Sequence, residues 1–279
     1  MWVGQQLADG LDFWGFLGSL ILGGIILGIY TGLLGYVGAK TGLSLDLLSQ
    51  RAFGEKGSYL SSLVLGLTQI GWFGVGSFVS GGTATPNFAR FAKDGKSGAI
   101  TTVVAFFIGN SLMFFFGAVS SIFVGGNDIF EVMVRLNLFY LAVLVLGLNI
   151  WTTNDNALYT AGLGLANIFH QRKKPMVLLS GIIGTVASVW LYYNFCGWLN
   201  ILNCTLPPVG MILVLAYFMN KEDFETDQPK LKTIDWFAVA GVILGAIVAN
   251  LLHWGIASIN GMVVAAVCYC VGQAVNKRK

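Results

Sequence analysis

An amide and an indole lie one helical turn apart in an apolar stretch of the chain. Gln69 and Trp72 occur in the string Leu-Thr-Gln-Ile-Gly-Trp-Phe-Gly, and side chains three residues apart share one face of a helix. An amide beside an indole gives a donor and acceptor edge next to a flat stacking surface. The pair therefore indicates a binding site, with a hydrogen bond between helices beside a core aromatic residue as the alternative.

A break in a helix is predicted a few residues later. Residues 77–86 read Ser-Phe-Val-Ser-Gly-Gly-Thr-Ala-Thr-Pro, and both glycine and proline disfavour a helix interior. Backbone groups freed inside a membrane are tolerated only where they line a cavity or contact protein, and many secondary transporters hold substrates at discontinuous helices. We predict an unwound membrane helix here, with an ordinary loop outside the membrane as the alternative.

A third polar segment carries five oxygen-bearing side chains on one helical face. They occur at i, i+3, i+4, i+7 and i+11, namely at Asn149, Thr152, Thr153, Asn156 and Thr160. Neutral hard oxygens suit a desolvated alkali cation such as sodium. This polar stripe predicts part of a sodium site, with polar contacts between helices as the alternative.

The signatures of enzymes are missing from the sequence. It contains no Ser/His/Asp set, HExxH, CxxC or phosphate-binding loop. The two histidines, His170 and His253, match no metal or catalytic spacing. We expect neither catalysis nor a cofactor, and no nucleic-acid partner.

The elements that must position these side chains are membrane helices. Of the residues 56% are hydrophobic and 10% charged, with mean hydropathy +0.74, which leaves too little polar surface for a water-soluble exterior. The charge-free runs are 13–39, 57–89, 97–127, 136–154, 175–220 and 236–276. About 20 helical residues cross a bilayer. The chain is therefore predicted to be an all-α, polytopic membrane protein, with its glycines favouring close helix packing, as at Gly24, Gly28 and Gly32.

These runs give a count of crossings. The segments 13–39, 97–127 and 137–170 supply one crossing each, the last interrupted by polar residues. The runs 175–220 and 236–276 supply two each, with turns predicted near Asn200 and near His253–Asn260. A weaker break is predicted at 205–210, where the sequence is Thr-Leu-Pro-Pro-Val-Gly.

The basic residues test this count. With these crossings, fifteen of the 16 Lys and Arg residues fall on one side of the membrane. Basic loops are typically cytoplasmic, so Lys56, Lys96, Arg172, Lys230 and Lys279 are predicted to be inside the cell. Arg135 is the one basic residue predicted to lie outside the cell. The C-terminus is therefore expected to be cytoplasmic.

The run 57–89 does not fit the count. It must begin and end on the same side of the membrane, but 33 helical residues span only about 50 Å, and two crossings need about 60 Å plus a turn. Either the segment is re-entrant or part of the chain is missing there.

Several strings in this order resemble the cytosine permeases of the nucleobase–cation symporter family. They are Thr-Gln-Ile-Gly-Trp-Phe-Gly-Val-Gly at 68–76, Ser-Phe-Val-Ser-Gly-Gly-Thr at 77–83, Asn-Phe-Ala-Arg-Phe at 87–91, Phe-Phe-Ile-Gly-Asn-Ser-Leu-Met-Phe at 106–114, and Leu-Gly-Leu-Asn-Ile-Trp-Thr-Thr-Asn-Asp-Asn-Ala-Leu-Tyr at 146–159. The likeness covers nearly all of the chain. It implies a LeuT-type inverted-repeat transporter fold around a site near the middle of the membrane.

The resemblance also implies roles for single residues. A nucleobase would stack between Trp72 and Phe78. Its edge would be hydrogen-bonded by the remaining substrate residues, which are Gln69, Asn149, Ser77, Ser80 and Gly81. Thr152 and Thr153, with the backbone of Asn149, would form one helix's part of a sodium site.

The chain departs from the family in what it lacks. Met1-Trp2 resembles the outer half of the family's first helix, so the inner half has no counterpart. Gly76 ends the third helix and Ser77 begins the sixth, so the fourth and fifth helices have none either. The resemblance thus implies one transmembrane domain over 1–279, lacking part of helix 1 and helices 4–5, with an internal deletion suspected at 76/77.

The function predicted from the sequence is cation-coupled uptake of a nucleobase, most favourably cytosine, across the cell membrane. A monomer in the lipid bilayer is expected. The alternatives are a permease for another purine- or pyrimidine-like base, and a non-transporting remnant or membrane subunit with the same fold. Because of the missing helices, the chain as written is expected not to transport.

Overall fold

The computed structural model of the chain describes residues 11–75, 84–125, 129–226, 229, 231–252 and 254–276. All regular secondary structure in these ranges is helical. The helices are α1 Phe13–Thr41, α2 Leu45–Phe53, α3 Ser58–Val75, α4 Pro86–Ala89, α5 Gly95–Val124, α6 Ile129–Arg135, α7 Phe139–Phe169, α8 Lys173–Tyr193, α9 Phe195–Met219, α10 Lys221–Glu225, α11 Trp236–Leu251 and α12 Ala257–Asn276.

Small residues bring α1 and α5 together. A Cβ atom built on Gly24 would lie 2.9 Å from the Phe107 ring, and one on Gly32 would lie 2.6 Å from a Val103 methyl group. Side chains of α5 therefore occupy the space that larger residues on α1 would fill. The close packing predicted for the glycine spacing is confirmed.

A proline holds α9, α11 and α12 together. The Pro208 ring lies 3.3 Å from a Cβ built on Gly245 of α11 and 3.1 Å from one built on Gly261 of α12. Both glycines are needed for this approach, since either Cβ would press on the ring. The two C-terminal helices form a hairpin around this point, and the predicted turn at 253–260 is confirmed, because α11 ends at Leu251 and α12 begins at Ala257.

The break predicted at 205–210 is wrong. Helix α9 continues through Pro207 and Pro208 to Met219. A proline has no N–H to donate to the carbonyl four residues earlier, so Pro207 frees the carbonyl of Asn203. The Ser258 hydroxyl of α12 donates to that oxygen at 3.2 Å, and the helix therefore persists.

The turn between α8 and α9 also differs from the prediction. It lies at Asn194, not near Asn200. The side chain of Asn194 donates to the Trp190 carbonyl at 2.9 Å, which satisfies an oxygen at the end of α8. The run 175–220 contains no charge to mark its turn, so the sequence located it only within several residues.

Five helices in the described ranges are long and apolar enough to cross a membrane. They are Phe13–Thr41, Gly95–Val124, Lys173–Leu191, Gly197–Met219 and Ala257–Val275. The chain is therefore an all-helical, polytopic membrane protein, as predicted.

The basic loops meet at one end of the bundle, which we call the basic end. The backbone N–H groups of Glu55 and Lys56 donate to the carbonyls of Lys232 and Thr233, both at 2.8 Å. The Arg51 guanidinium donates to the Asp223 carbonyl at 2.7 Å. These bonds connect the loop after α2 to the segment before α11, so two of the predicted basic groups share one end of the molecule.

Arg135 lies apart from those loops, at the start of α7. It bonds Glu131 of its own short helix at 2.6 Å and approaches the Val124 carbonyl, where α5 ends, at 3.4 Å. Helix α5 begins beside α1, since Gly95 faces the Tyr36 ring. The 30 residues of α5 span about 45 Å, which places Arg135 far from the residues at the basic end.

Candidate functional site

The helices that carry the predicted site, α3 and α7, pack directly against each other. A Cβ on Gly164 would lie 2.9 Å from the Ser62 carbonyl oxygen and 3.4 Å from the Gly66 Cα. Nearer the basic end, the Asn167 amide donates to the hydroxyls of Ser58 at 3.1 Å and Ser62 at 2.8 Å. Glycine and serine thus allow close contact of the two backbones, and polar side chains fix their relative position.

Gln69 lies at the outer end of this contact. It is 5% exposed, and its neighbour Ile70 packs with Ala161 and Leu165 of α7. Thr68 donates to the Val64 carbonyl at 2.6 Å, inside its own helix. A buried amide at this depth is costly unless it bonds protein or ligand, and the predicted role of Gln69 in recognising a polar substrate stays a prediction.

Several predicted substrate residues fall outside what the structure describes. The backbone of Trp72 belongs to α3, but its side chain is outside the described part of the molecule. Ser77, Phe78, Ser80 and Gly81 all lie in 76–83, which is also outside it. The predicted roles of these five residues stay predictions.

The chain after this segment is held to the rest of the fold by side-chain hydrogen bonds. Helix α4, Pro86–Ala89, follows it directly. The Asn87 side-chain oxygen accepts from the Leu45 N–H at 2.8 Å, and Arg90 donates to the Tyr159 hydroxyl at 2.5 Å. The far end of the predicted break is thus attached to both α2 and α7.

The polar stripe of α7 is open at one end and buried at the other. Asn149, Thr152 and Asn156 are exposed, Thr153 is partly buried and Thr160 is buried. Asn149 lies twelve residues outward from Ala161, about 18 Å along the helix. Asn149 and Gln69 therefore lie on two helices that pack against each other nearer the basic end, through Gly164 and Asn167.

Two oxygens predicted to bind a cation lie close together. The Thr152 hydroxyl oxygen is 3.1 Å from the Asn149 carbonyl oxygen and also 3.1 Å from the Leu148 carbonyl oxygen. A threonine hydroxyl has two lone pairs, so it can donate to Leu148 while facing a cation beside the Asn149 oxygen. Among the described residues no cluster of three His, Cys, Asp or Glu side chains could hold a metal, so a cation here would depend on neutral oxygens.

Sequence reasoning missed two features near the site. Trp198 of α9 covers α3, because its ring atoms Cε2 and Cη2 would lie 2.7 and 3.0 Å from a Cβ on Gly71. Asn154 has a buried side-chain oxygen with no hydrogen-bond partner in the described part of the chain. The only sequence signal for Trp198 was its aromatic character, and Asn154 lies next to the stripe but not on it.

A separate cavity of about 240 Å³ lies between α1, α9 and α12. Its polar wall groups already bond protein, since Ser258 donates to Asn203 and Tyr30 approaches the Leu206 carbonyl at 3.5 Å. The rest of its lining is apolar, and its volume is below the usual range for ligand pockets. The polar groups of its wall are therefore already used within the protein.

Comparison with known proteins gives the family. The model of a family described as permease for cytosine/purines, uracil, thiamine and allantoin matches residues 1–84 and 74–275. Three proteins described as cytosine permease, from Escherichia coli strains K12, O6:H1 and O157:H7, are each 36% identical over 372 aligned positions, covering 100% of this chain and 88% of the relative. The chain has 279 residues, so 93 of the 372 positions carry no residue of it. The chain belongs to the family of permeases for cytosine, purines, uracil, thiamine and allantoin.

Proposed function

We propose that this chain is built to bind a nucleobase, most favourably cytosine, and derives from a transporter driven by a cation gradient. Members of the family are transporters rather than enzymes, and the Escherichia coli relatives are described as cytosine permeases. The observation that carries the proposal is the burial of Gln69 within α3, one helical turn from Trp72 and next to Ile70, which packs on the polar helix α7.

The base would lie between Trp72 and Phe78. Gln69 would bond one edge of it, because an amide offers both a donor and an acceptor to a planar base. Ser77, Ser80 and Gly81 would bond it from the unwound segment, and Asn149 from α7. Trp198, which packs on Gly71 two residues from Gln69, would close the side of the site that faces α9.

Sodium is the coupling ion that we propose. The pair of oxygens from Asn149 and Thr152, 3.1 Å apart, would face the ion, and Thr153 would supply a third. Coupling between ion and base must be reciprocal, so sodium would raise the affinity for the base by the factor by which the base raises the affinity for sodium.

We further propose a LeuT-type fold that lacks two helices at 76/77. The two family matches overlap at 74–84, which includes this position, and somewhere along the alignment 93 positions of the relatives have no counterpart in this chain. Asp155 supports the idea as well, because it lies near the middle of α7 and is exposed. A charge at that depth costs about 3 kcal/mol or more in lipid, so in a working transporter other helices or water would cover it.

The protein is proposed to be a monomer with its basic end and C-terminus in the cytoplasm. A single chain carries all the proposed site residues, so no second copy is needed. The rival proposal is a remnant that keeps the fold but does not transport. The experiment must distinguish a transporter from a remnant that does not transport.

The experiment compares two proteins in vesicles and in purified form. One is the chain as written, and the other carries, between Gly76 and Ser77, the residues that separate the corresponding positions of the K12 relative, together with any residues of that relative that precede the match. We expect gradient-driven cytosine uptake from the second protein and none from the first. Gln69→Leu should reduce cytosine binding in the second, whereas the matched buried glutamine change Gln273→Leu in α12 should not.

Each outcome decides something different. Uptake by the chain as written would overturn the deletion proposal and keep the transport proposal. A folded insertion protein that binds no cytosine, or binds it equally well with Gln69→Leu, would overturn the proposed base site. Trp72→Ala should weaken binding more than Phe114→Ala, since base stacking contributes about 1–3 kcal/mol.

A further inference from the structure

A buried carboxyl group lies at the basic end, outside the membrane-spanning segments. Asp46 of α2 is 5% exposed. Its Oδ1 accepts a hydrogen bond from the Ser62 hydroxyl at 2.6 Å. Its Oδ2 is buried and has no hydrogen-bond partner among the residues that the structure describes. A buried charge with one unsatisfied oxygen is costly, and a proton on Oδ2 would remove that cost.

The side chains of α4 meet Asp46 from the other side. Asn87 accepts from the Leu45 N–H, directly next to Asp46, at 2.8 Å. The guanidinium of Arg90 bonds Tyr159 through one terminal nitrogen, while its Nε is buried and lacks a partner within the described ranges. Asp46 Oδ2 and Arg90 Nε are thus two buried polar atoms without partners in the described part of the chain, on elements that the Asn87–Leu45 bond joins.

The electrostatics agree with this geometry. Burial raises the pKa of Asp46 from 3.8 to about 6, against the lowering effects of the Ser62 hydrogen bond, a backbone hydrogen bond and the Arg90 charge. Other titratable or charged groups lie on the elements packed around α2. They are Tyr59 on α3, Asp155, Tyr159 and His170 on α7, Cys204 and Tyr217 on α9, Lys221, Glu222, Asp223 and Glu225 on α10, Lys232 and Asp235 before α11, and Arg51 on α2 itself. Arg90 is the charge among them that acts on the Asp46 pKa.

We propose that Asp46 is a proton-binding site, and that its charge decides how firmly Arg90 holds α4 against α2. When Asp46 is ionised, its attraction for Arg90 adds to the Asn87 and Tyr159 bonds and keeps α4 docked. When a proton binds Oδ2, that attraction is lost, and α4 keeps the two hydrogen bonds and the packing of Pro86 on Gly38 of α1.

The proposal does not depend on which base is carried or on whether the chain transports. It concerns a proton equilibrium in the folded protein. Its failure would leave the proposed base site untouched, and failure of cytosine binding would leave this site untouched.

The first test follows the carboxyl group itself. Infrared spectra of the full chain in lipid nanodiscs would be recorded between pH 4 and 8. We expect a protonated carboxyl band that disappears with a midpoint near pH 6 and is absent from Asp46→Asn. The exposed acid Asp94 provides the matched control. Asp94→Asn should leave the band in place, since hydrogen bonds from Ser97 hold the pKa of Asp94 below its ordinary value.

Arg90 variants keep the test decisive if Asp46→Asn does not fold. Arg90→Gln removes the positive charge and should raise the midpoint by about one pH unit. Arg90→Lys keeps the charge and should restore the midpoint to near its original value. A band that persists in Asp46→Asn, or a midpoint that Arg90→Gln leaves unchanged, would overturn the proposal.

The second test follows the docking of α4. Ala89 is 8% exposed, so a thiol introduced by Ala89→Cys, with the native cysteines replaced, reacts only when α4 moves. Its labelling rate is divided by that of Lys93→Cys, an exposed position, to cancel the chemistry of the reagent. We expect this ratio to be several-fold higher at pH 5 than at pH 8, and to lose its pH dependence when Asp46→Asn is added. An equal ratio at both pH values would refute the link between Asp46 and α4.

Discussion

In the proline-containing helix α9, mutations can test which residue hydrogen-bonds the backbone carbonyl that Pro207 leaves free. Pro207 leaves the Asn203 carbonyl without its usual partner, and Ser258 donates to it at 3.2 Å. Ser258→Ala should remove that bond and leave a carbonyl oxygen unpaired. Hydrogen bonds between helices in membrane proteins contribute about 0.6 kcal/mol on average and up to about 1.7 kcal/mol. The bond is long, so we expect a loss of about 0.6–1 kcal/mol in the free energy of unfolding.

A second substitution shows whether Pro207 is the cause. Pro207→Ala supplies an N–H that can bond the Asn203 carbonyl within the helix. In that background Ser258→Ala should change stability by no more than about 0.3 kcal/mol, since the oxygen now has a partner. The two changes should therefore be non-additive, with a coupling of about 0.3–1 kcal/mol, as expected for groups that share one partner.

The measurement is unfolding of the four proteins in mixed detergent micelles, with helix content as the readout. Ser188→Ala provides the control. Its hydroxyl donates to the Thr185 carbonyl of the same helix at 2.8 Å, so its removal orphans no carbonyl and should change stability by less than about 0.5 kcal/mol. An equal loss from Ser258→Ala with and without Pro207 would refute the account of why α9 stays helical.

Three further outcomes can be checked separately. The folded-state pKa of Asp46 is raised from 3.8 to about 6, so its contribution to the free energy of unfolding is present below pH 3.8 and is lost as the pH rises through 6. The loss is about 3 kcal/mol. In a series of unfolding measurements at different pH values, Asp46→Asn should remove this pH dependence, whereas Asp94→Asn should not. In the protein with the inserted helices, sodium should raise cytosine affinity over that in choline, and Thr152→Ala with Thr153→Ala should abolish the difference; equal affinity in both media would exclude sodium as the coupling ion. A cysteine replacing Arg135 should be labelled by an impermeant reagent from outside the cell and one replacing Lys96 should not; labelling of Lys96→Cys from outside would contradict the proposed orientation.

Much of the architecture followed from local patterns in the sequence. Charge-free runs of about 20 residues indicated the membrane helices, because each must place its apolar side chains in lipid. The four-residue spacing of Gly24, Gly28 and Gly32 indicated a close helix contact, and α5 packs on that face. Such predictions succeed because the cause lies within a single helix.

The errors arose where the cause lies elsewhere in the chain. The proline pair in α9 was interpreted as a break, because the residue that satisfies the freed carbonyl, Ser258, is 55 positions away. The attachment of Asn87 to the Leu45 N–H, across 42 positions, has no local signature. Arg90 was noticed only as part of a matching string, and its position beside buried Asp46 required the fold.

The sequence could predict only the part of the candidate site that depends on spacing within a single helix. Gln69 and the α7 stripe could be found from helical spacing, and the structure packs their helices together. Trp198 could not be found, since nothing in its neighbourhood distinguishes a tryptophan that covers α3 from one that faces lipid. The broken-helix residues, including Ser80, and the Trp72 side chain lie outside the described ranges, so their roles rest on the resemblance.

The hydrogen bonds between α3 and α7 also have a consequence for how the protein is made. Ser62 and Asn167 are 105 residues apart, so α3 leaves the ribosome long before its polar partner exists. At roughly 5–20 residues per second, synthesis takes several seconds or more to supply Asn167. During that interval the Ser62 hydroxyl can already donate to Asp46 and the Ser58 hydroxyl to the Glu55 carbonyl, but neither oxygen yet accepts the bond from Asn167. The final seating of α3 is therefore a late step of membrane assembly, and a ribosome that pauses between the two helices would prolong the stage at which this chain is most open to degradation.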